Sequence, residues 1–199
     1  GLFCKINRLN IPRFPTVLEV TRVRMLNTHP ELYNHFREGE CRTFSDALIC
    51  KDKFSVEEFE TPATARFFHG ADWGFSVDPT ALVRCYMQDE CLYIDREEYA
   101  TGVELDEMKA FFNRIPTVKN WPIKADGSRP ETISFMDRQG FNISAAQKWP
   151  GSVEDGITYL RGFRKIIIHP RCKHTAEEFR RYSYKVDKKN KDIIPVPLD

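Results

Sequence analysis

Phe67, Phe68, Gly70 and Ala71 form an apolar run, interrupted only by His69, that ends on a carboxylate at Asp72. A short run of this kind predicts a strand with the acid at its tip. Residues 81–87 and 91–99 repeat the strand pattern, and the polar Gln88-Asp89-Glu90 between them predicts a hairpin. Leu105, Met108, Phe111 and Phe112 recur at helical spacing, which predicts a helix over 104–114. Residues 122–125 are short and apolar and lead into Asp126. Pro130 in the first turn and Gly140 past the end bound a helix over 130–139. A strand at 142–146 follows, then a helix at 153–164 with Ser152 as its expected cap. A strand at 165–169 and a helix at 175–181 come next. Residues 182–187 and 193–197 flank Lys188-Lys189-Asn190-Lys191 and predict a hairpin with a basic tip.

Three leading strands followed by helix–strand alternation predict an α/β fold. The expected architecture is a mixed central sheet, antiparallel at its start and parallel in its additions, with flanking helices. A ribonuclease H-like core has this element order. Residues 1–66 read differently. Pro12, Pro15 and Pro30 break the segment into short pieces, a helix at 31–38 stops at Gly39, and the charged stretch 54–61 runs into Pro62. This part is expected to be a linker or the tail of a preceding domain, and 67–199 to carry the fold.

The length, 199 residues with 30% charged and 13% aromatic, suits one sizeable domain plus an appendage. No stretch approaches the roughly 18 apolar residues of a membrane span, so no membrane partner is expected, and the first residues lack a signal-peptide layout. The six cysteines are scattered without zinc spacing, which predicts reduced, mostly buried thiols. Net charge is only +1 but segregated: residues 67–159 hold nine Lys/Arg against fifteen Asp/Glu, and residues 160–199 hold eleven against five. An acidic centre beside a basic end suits a carboxylate metal site next to a polyanion track, or equally an uneven solvated surface.

Asp72 and Asp126 are the leading site candidates, for both catalysis and metal binding. Each stands where an apolar strand runs out, a rigid place to hold a carboxylate. Adjacent ends of parallel strands bring together side chains far apart in sequence. Two carboxylates so placed repel unless a positive charge lies between them, and Mg²⁺ or Mn²⁺ prefers such oxygen ligands. The plain alternatives are a strand-end turn aspartate and a helix-start aspartate. Gly74 would let backbone or substrate approach closely. Lys148, just past a strand end, would hold a phosphate, compete with metal, or sit on the surface. Asp95 would face the site or solvent, and Glu97 and Glu98 the hairpin surface. Arg180, Arg181, Lys188, Lys189 and Lys191 are candidate phosphate contacts, with a solvated basic tip as the alternative. His69 should face away from Asp72, three residues on. There is no nucleotide-binding glycine motif and no nucleophile elbow.

Several segments together resemble phage large terminase subunits. Gly70-Ala71-Asp72-Trp73-Gly74-Phe75-Ser76-Val77-Asp78-Pro79-Thr80-Ala81 is similar to the first nuclease motif of that family, and Ala125-Asp126-Gly127-Ser128-Arg129-Pro130-Glu131 to the second. Asp155-Gly156-Ile157 lies in a stretch similar to the family's next helix. His29-Pro30-Glu31-Leu32-Tyr33-Asn34-His35-Phe36-Arg37-Glu38-Gly39-Glu40 resembles the segment joining the packaging ATPase to the nuclease.

The resemblance implies a ribonuclease H-like nuclease whose acidic cluster binds two divalent ions, with Asp72 and Asp126 as ligands. It implies a third carboxylate in a segment expected just beyond Asp199, so that the nuclease domain is C-terminally incomplete, and a preceding ATPase half of which residues 1–66 are the linker or tail. The implied reaction is hydrolysis of DNA phosphodiesters, cutting the concatemeric genome during packaging. The implied partners are double-stranded DNA, the ATPase domain, the small terminase subunit and the portal protein, at the procapsid motor in the host cytoplasm. The rivals are a non-catalytic DNA- or portal-docking module and another ribonuclease H-like nuclease such as a resolvase.

Overall fold

The computed structural model describes residues 47–74, 77–187 and 193–197. The helix expected at 31–38 and the lysines Lys188, Lys189 and Lys191 lie outside the described residues. The strands are β1 (Phe54–Val56), β2 (Phe67–Asp72), β3 (Pro79–Gln88), β4 (Cys91–Thr101), β5 (Ile123–Ala125), β6 (Ile143–Ala145), β7 (Lys165–Ile168), β8 (Tyr184–Val186) and β9 (Ile193–Pro197). The helices are α1 (Met108–Phe112), α2 (Pro130–Arg138), α3 (Ser152–Gly162) and α4 (Lys173–Arg181).

Seven strands form one sheet in the order β1-β7-β4-β3-β2-β5-β6, and β8 pairs with β9 separately. The β2–β3 and β3–β4 pairs are antiparallel. The β2–β5, β5–β6, β4–β7 and β1–β7 pairs are parallel. The first three expected strands thus open the sheet as an antiparallel meander and the later ones join it in parallel, as the pattern predicts; the additions lie on both sides of the meander. The β3–β4 turn places Asp89 (φ 49) and Glu90 (φ 62) in the left-handed region, where Asp is tolerated and the strand twist is matched.

Apolar side chains cover both faces of the sheet. Val83, Leu92, Ile94, Ile166 and Ile168 pack with Ile157 and Leu160 of α3 and Phe179 of α4. Ala71, Leu82 and Ile123 pack with Phe112, Met136 and Phe141. Helix α2 starts with Pro130 at its first turn and gives way to Gly140 at φ +84, as expected. Helix α3 differs: Gly151 (φ 82) precedes it, and Ser152 is its first residue, without a side-chain cap. The left-handed glycine turns the chain into the helix, so Ser152 is not at the capping position.

Further expectations change. The stretch over 104–114 shortens to α1, Met108–Phe112. Residues Phe54–Val56, expected in a linker, form an edge strand, and Ala47, Ile49 and Cys50 are buried, so the described fold reaches back before residue 67. Glu97 is no bare surface acid. Its carboxylate accepts hydrogen bonds from His174 N (2.8 Å), Thr175 N (2.8 Å) and Thr175 Oγ1 (2.7 Å). It therefore satisfies N–H groups left over at the start of α4, where a negative charge is favoured. Cys50, Cys85, Cys91 and Cys172 are buried free thiols. Among the described residues no helix is long and apolar enough to cross a membrane.

Asp95 faces neither the expected site nor solvent. The β3–β4 register pairs Arg84 with Arg96 and then Cys85 with Ile94, leaving Asp95 as the extra residue of a bulge. The bulge turns its carboxylate onto Arg84, whose Nε and Nη2 donate to it at 2.9 and 2.6 Å. Thr61 Oγ1 donates to the same carboxylate at 3.0 Å, and Arg84 Nη1 donates to the Pro116 carbonyl at 2.8 Å. Both charges are buried, and their fork-to-fork hydrogen bonding makes that tolerable. Across the strand pair, His69 lies opposite Arg84 and is buried.

Burial and the Arg84 guanidinium push His69 down from 6.5 to about 4, with the Pro122 carbonyl and Asp95 opposing the shift. The unfolded chain therefore takes up a proton that the folded chain resists. Stability is whole above pH 6.5 and falls as pH drops from there toward about 4. Between pH 7 and about pH 4.5 this one group should cost about 2–3 kcal/mol. Urea unfolding across that range should show a shallower pH slope for His69→Leu than for the parent chain; identical slopes would remove His69 as the cause.

Candidate metal-binding site at the strand ends

Asp72 is the last residue of β2, and Asp126 follows the last residue of β5. The parallel register sets His69 level with Ile123, Gly70 with Lys124 and Ala71 with Ala125. Asp126 N then donates to the Ala71 carbonyl at 3.1 Å, carrying the ladder past the end of β5. The next level is Asp72 beside Asp126. Level residues on adjacent parallel strands project to the same side of the sheet, with backbones about 4.8 Å apart. The flanking positions are small. Ala81 pairs with Asp72 on β3, and Ala146 follows β6, its N–H donating to the Ala125 carbonyl at 2.8 Å.

Local contacts orient both acids. Asp72 Oδ1 accepts from the Trp73 backbone N–H at 3.1 Å. Asp126 Oδ1 accepts from Ser128 N at 2.9 Å, an Asx-type turn that uses the small-polar run after it. Trp73 joins the two strand ends: its indole Nε1 donates to the Asp126 carbonyl at 2.8 Å. Its ring stacks on Phe112 with centroids 6.0 Å apart and planes at 10°. Gly74 is required by backbone crowding. A Cβ there would lie 2.1 Å from the Asp78 carbonyl oxygen, so the close approach it permits is that of the chain's own turn. The Gly74 N–H donates to Thr80 Oγ1 at 3.0 Å and ties the loop to β3.

Asp126 is largely buried, and Lys148 Nζ lies 3.0 Å from its Oδ1. The ammonium offsets the repulsion expected between two carboxylates held side by side. Hard oxygen donors on rigid strand ends, already drawing a cation, fit a Mg²⁺- or Mn²⁺-sized ion. The acids form a pair: among the described residues no group of three or more His, Cys, Asp or Glu is placed to hold a metal.

The remaining candidates lie elsewhere. Arg180 and Arg181 end α4 and both pair with Glu177. Glu98 pairs with Arg114 at 3.5 Å on the surface. The sequence pattern does not single out Trp73. Its place directly after a strand-end acid is the available signal, but its reach to residue 126 depends on the fold.

A family model for the terminase ribonuclease H-like domain matches residues 72–198. The PBSX phage terminase large subunit of Bacillus subtilis (strain 168) is 31% identical over 124 residues, which cover 61% of this chain and 28% of that relative. The chain thus spans under a third of that protein's length. The solved large terminase nuclease domain of bacteriophage SPP1, with bound Mn, superposes with a TM-score of 0.65 at 28% identity, covering 74% of this chain and 88% of that one. The solved large terminase of a thermophilic bacteriophage shares the fold, with a TM-score of 0.57 at 16% identity over 76% of this chain and 41% of that one.

Trp73→Phe keeps a ring against Phe112 and removes the bond to the Asp126 carbonyl. The buried acceptor left behind should cost about 1–3 kcal/mol, read by chemical denaturation followed by circular dichroism. A loss below a few tenths would mean that this bond does not brace the two strand ends.

Proposed function

The chain belongs to the terminase ribonuclease H-like domain family, and on that premise we propose that it is the metal-dependent endonuclease domain of a viral DNA-packaging terminase. The reading is carried by one observation: Asp72 and Asp126 stand level at the ends of the adjacent parallel strands β2 and β5. The bound Mn of the similar SPP1 nuclease domain supports a divalent ion at such a site. Asp72 and Asp126 hold Mg²⁺ or Mn²⁺, two ions in the full site. When bound, such an ion lowers the pKa of a water and stabilises charge on a leaving oxygen.

The chain's own residues prepare that chemistry. Ser128 N–H and the Trp73 backbone N–H each hold one carboxylate oxygen in place. The Trp73 indole keeps the two strand ends together, so the pair need not reorganise when an ion arrives. Arg180, Arg181 and the hairpin lysines Lys188, Lys189 and Lys191 contact duplex phosphates, fixing position without reading sequence.

The substrate is double-stranded DNA, cut from the concatemer during packaging. Residues 1–66 lead from the ATPase half, with strand β1 built into the nuclease sheet. The remaining partners are the small terminase subunit and the portal, at the procapsid motor in the host cytoplasm.

Nicking of supercoiled plasmid with Mn²⁺ tests this reading. Asp72→Asn and Asp126→Asn should each reduce it by more than the roughly 10–100-fold lost with an outer partner of a metal ligand, while the circular dichroism spectrum and duplex binding persist. A protein that carries this chain together with the implied third carboxylate, and that binds duplex but never nicks it, is the docking module instead; nicking that survives Asp72→Asn would dismiss this pair as the site.

A further inference from the structure

Lys148 stands in an unusual position for a surface lysine. Its ammonium is 3.0 Å from Asp126 Oδ1, yet its side chain remains 53% exposed while that of Asp126 is 12% exposed. The residues around it are anchored on both sides, one by its backbone and one by its side chain. Ala146 N donates to the Ala125 carbonyl at 2.8 Å, and the Trp149 indole donates to Asp155 Oδ2 at 2.8 Å. The stem therefore starts from a fixed place beside the acid pair, and about half of the side chain stays open to solvent. Asp126 does not depend on the ammonium for its orientation, because Ser128 N donates to the same oxygen at 2.9 Å.

The Arg84–Asp95 pair in the same sheet is built the opposite way. Both of its side chains are sealed, at 6% and 2% exposure, and joined by two hydrogen bonds. That pair is a closed clamp, whereas the Lys148–Asp126 contact has one bond, an open cation and a carboxylate held independently. A half-exposed lysine pair contributes little to stability, so displacing it costs little. A lysine is also a compact charge on a flexible stem and binds phosphate as a point charge.

We propose that Lys148 is an exchangeable counter-cation. It occupies Asp126 when no divalent ion is bound, yields that carboxylate to the ion, and then takes a phosphate of the DNA backbone. This rests on the nuclease reading and goes beyond it by assigning one residue a coupling role. Metal and DNA then bind with positive cooperativity. The ion frees the ammonium for the phosphate, and the phosphate removes the competitor from the ion's ligand. Linkage requires each ligand to raise the affinity of the other by the same factor.

The test titrates Mn²⁺ into the 199-residue chain and follows the signal of free Mn²⁺ by electron paramagnetic resonance, with and without a short duplex. For the parent chain the duplex should tighten Mn²⁺ binding about tenfold, within the usual range of such couplings. Lys148→Met should bind Mn²⁺ more tightly than the parent in the absence of DNA, and the duplex should add little. Lys148→Gln serves as a second neutral variant, and thermal melts establish that each is folded. Lys148→Arg, which keeps a cation beside Asp126, should retain the weaker Mn²⁺ binding.

Mn²⁺ binding that Asp126→Asn abolishes, together with neutral variants that bind Mn²⁺ no more tightly than the parent or keep the full DNA effect, overturns the exchange role and leaves the nuclease reading standing. Mn²⁺ binding that is missing from the parent chain, or indifferent to Asp126→Asn, overturns both.

Discussion

The parallel ladder between β2 and β5 is the constraint on which the site depends. Asp72 and Asp126 are far apart in sequence, and a single register places them level. Slipping one strand by one residue would send one carboxylate to the opposite face of the sheet, because side chains alternate along a strand. The register is held by more than the ladder. Ala71, Ala125 and Ile123 are buried against Phe112, Met136 and Phe141, so a slip would carry apolar groups out of that layer. Trp73 adds a side-chain bond from the end of one strand to the end of the other. The helices of the two layers matter to the site through this register, since they bury the faces that define it.

The chain handles its buried and half-buried acids in three ways, each suited to a different task. Asp95 is sealed with Arg84 inside a β-bulge, where two hydrogen bonds and the Thr61 hydroxyl satisfy it. Glu97 is spent on the first N–H groups of α4, fastening that helix to β4. Asp126 keeps a partner that can leave. The fold thus removes Asp95 and Glu97 from the candidate chemistry by giving them structural partners. Of the strand acids weighed as candidates, the pair at the ends of β2 and β5 retains a geometry suited to an ion. The segment between β1 and β2 contributes to the same arrangement. Phe59 packs edge-on against Tyr93 and His169, at 5.2 Å from each ring, and Thr61 reaches the Arg84–Asp95 pair. This charged stretch, which reads as a linker, therefore helps to brace the sheet.

The order of strands and helices from residue 67 onward is legible in the sequence, because alternation of apolar and polar positions is a local property set by the two periods of strand and helix. The tip position of Asp72, the start of α2 at Pro130 and its stop at Gly140 are legible for the same reason. The strand at Phe54–Val56 is not, since a three-residue edge strand flanked by charges carries almost no periodicity and exists only through its pairing with β7. Helix α1 is shorter than its pattern because apolar residues at helical spacing continue into turns. A serine before a helix is the commoner cap, which points to Ser152 for α3, while the left-handed Gly151 does that work here.

For the site, the sequence by itself determined the two aspartates as strand-end acids, the small and polar residues around them, and, through its resemblance to large terminases, the family to which the chain belongs. Those features reside in neighbouring residues and survive being read one window at a time. Only the tertiary structure decided that Asp72 and Asp126 are level, that Asp95 and Glu97 are committed elsewhere, and that Trp73 and Lys148 reach across to residue 126. Each of these depends on a register, a bulge or a helix placement formed between distant segments. Such contacts follow from how whole faces bury themselves against one another, and no local pattern of residues specifies them.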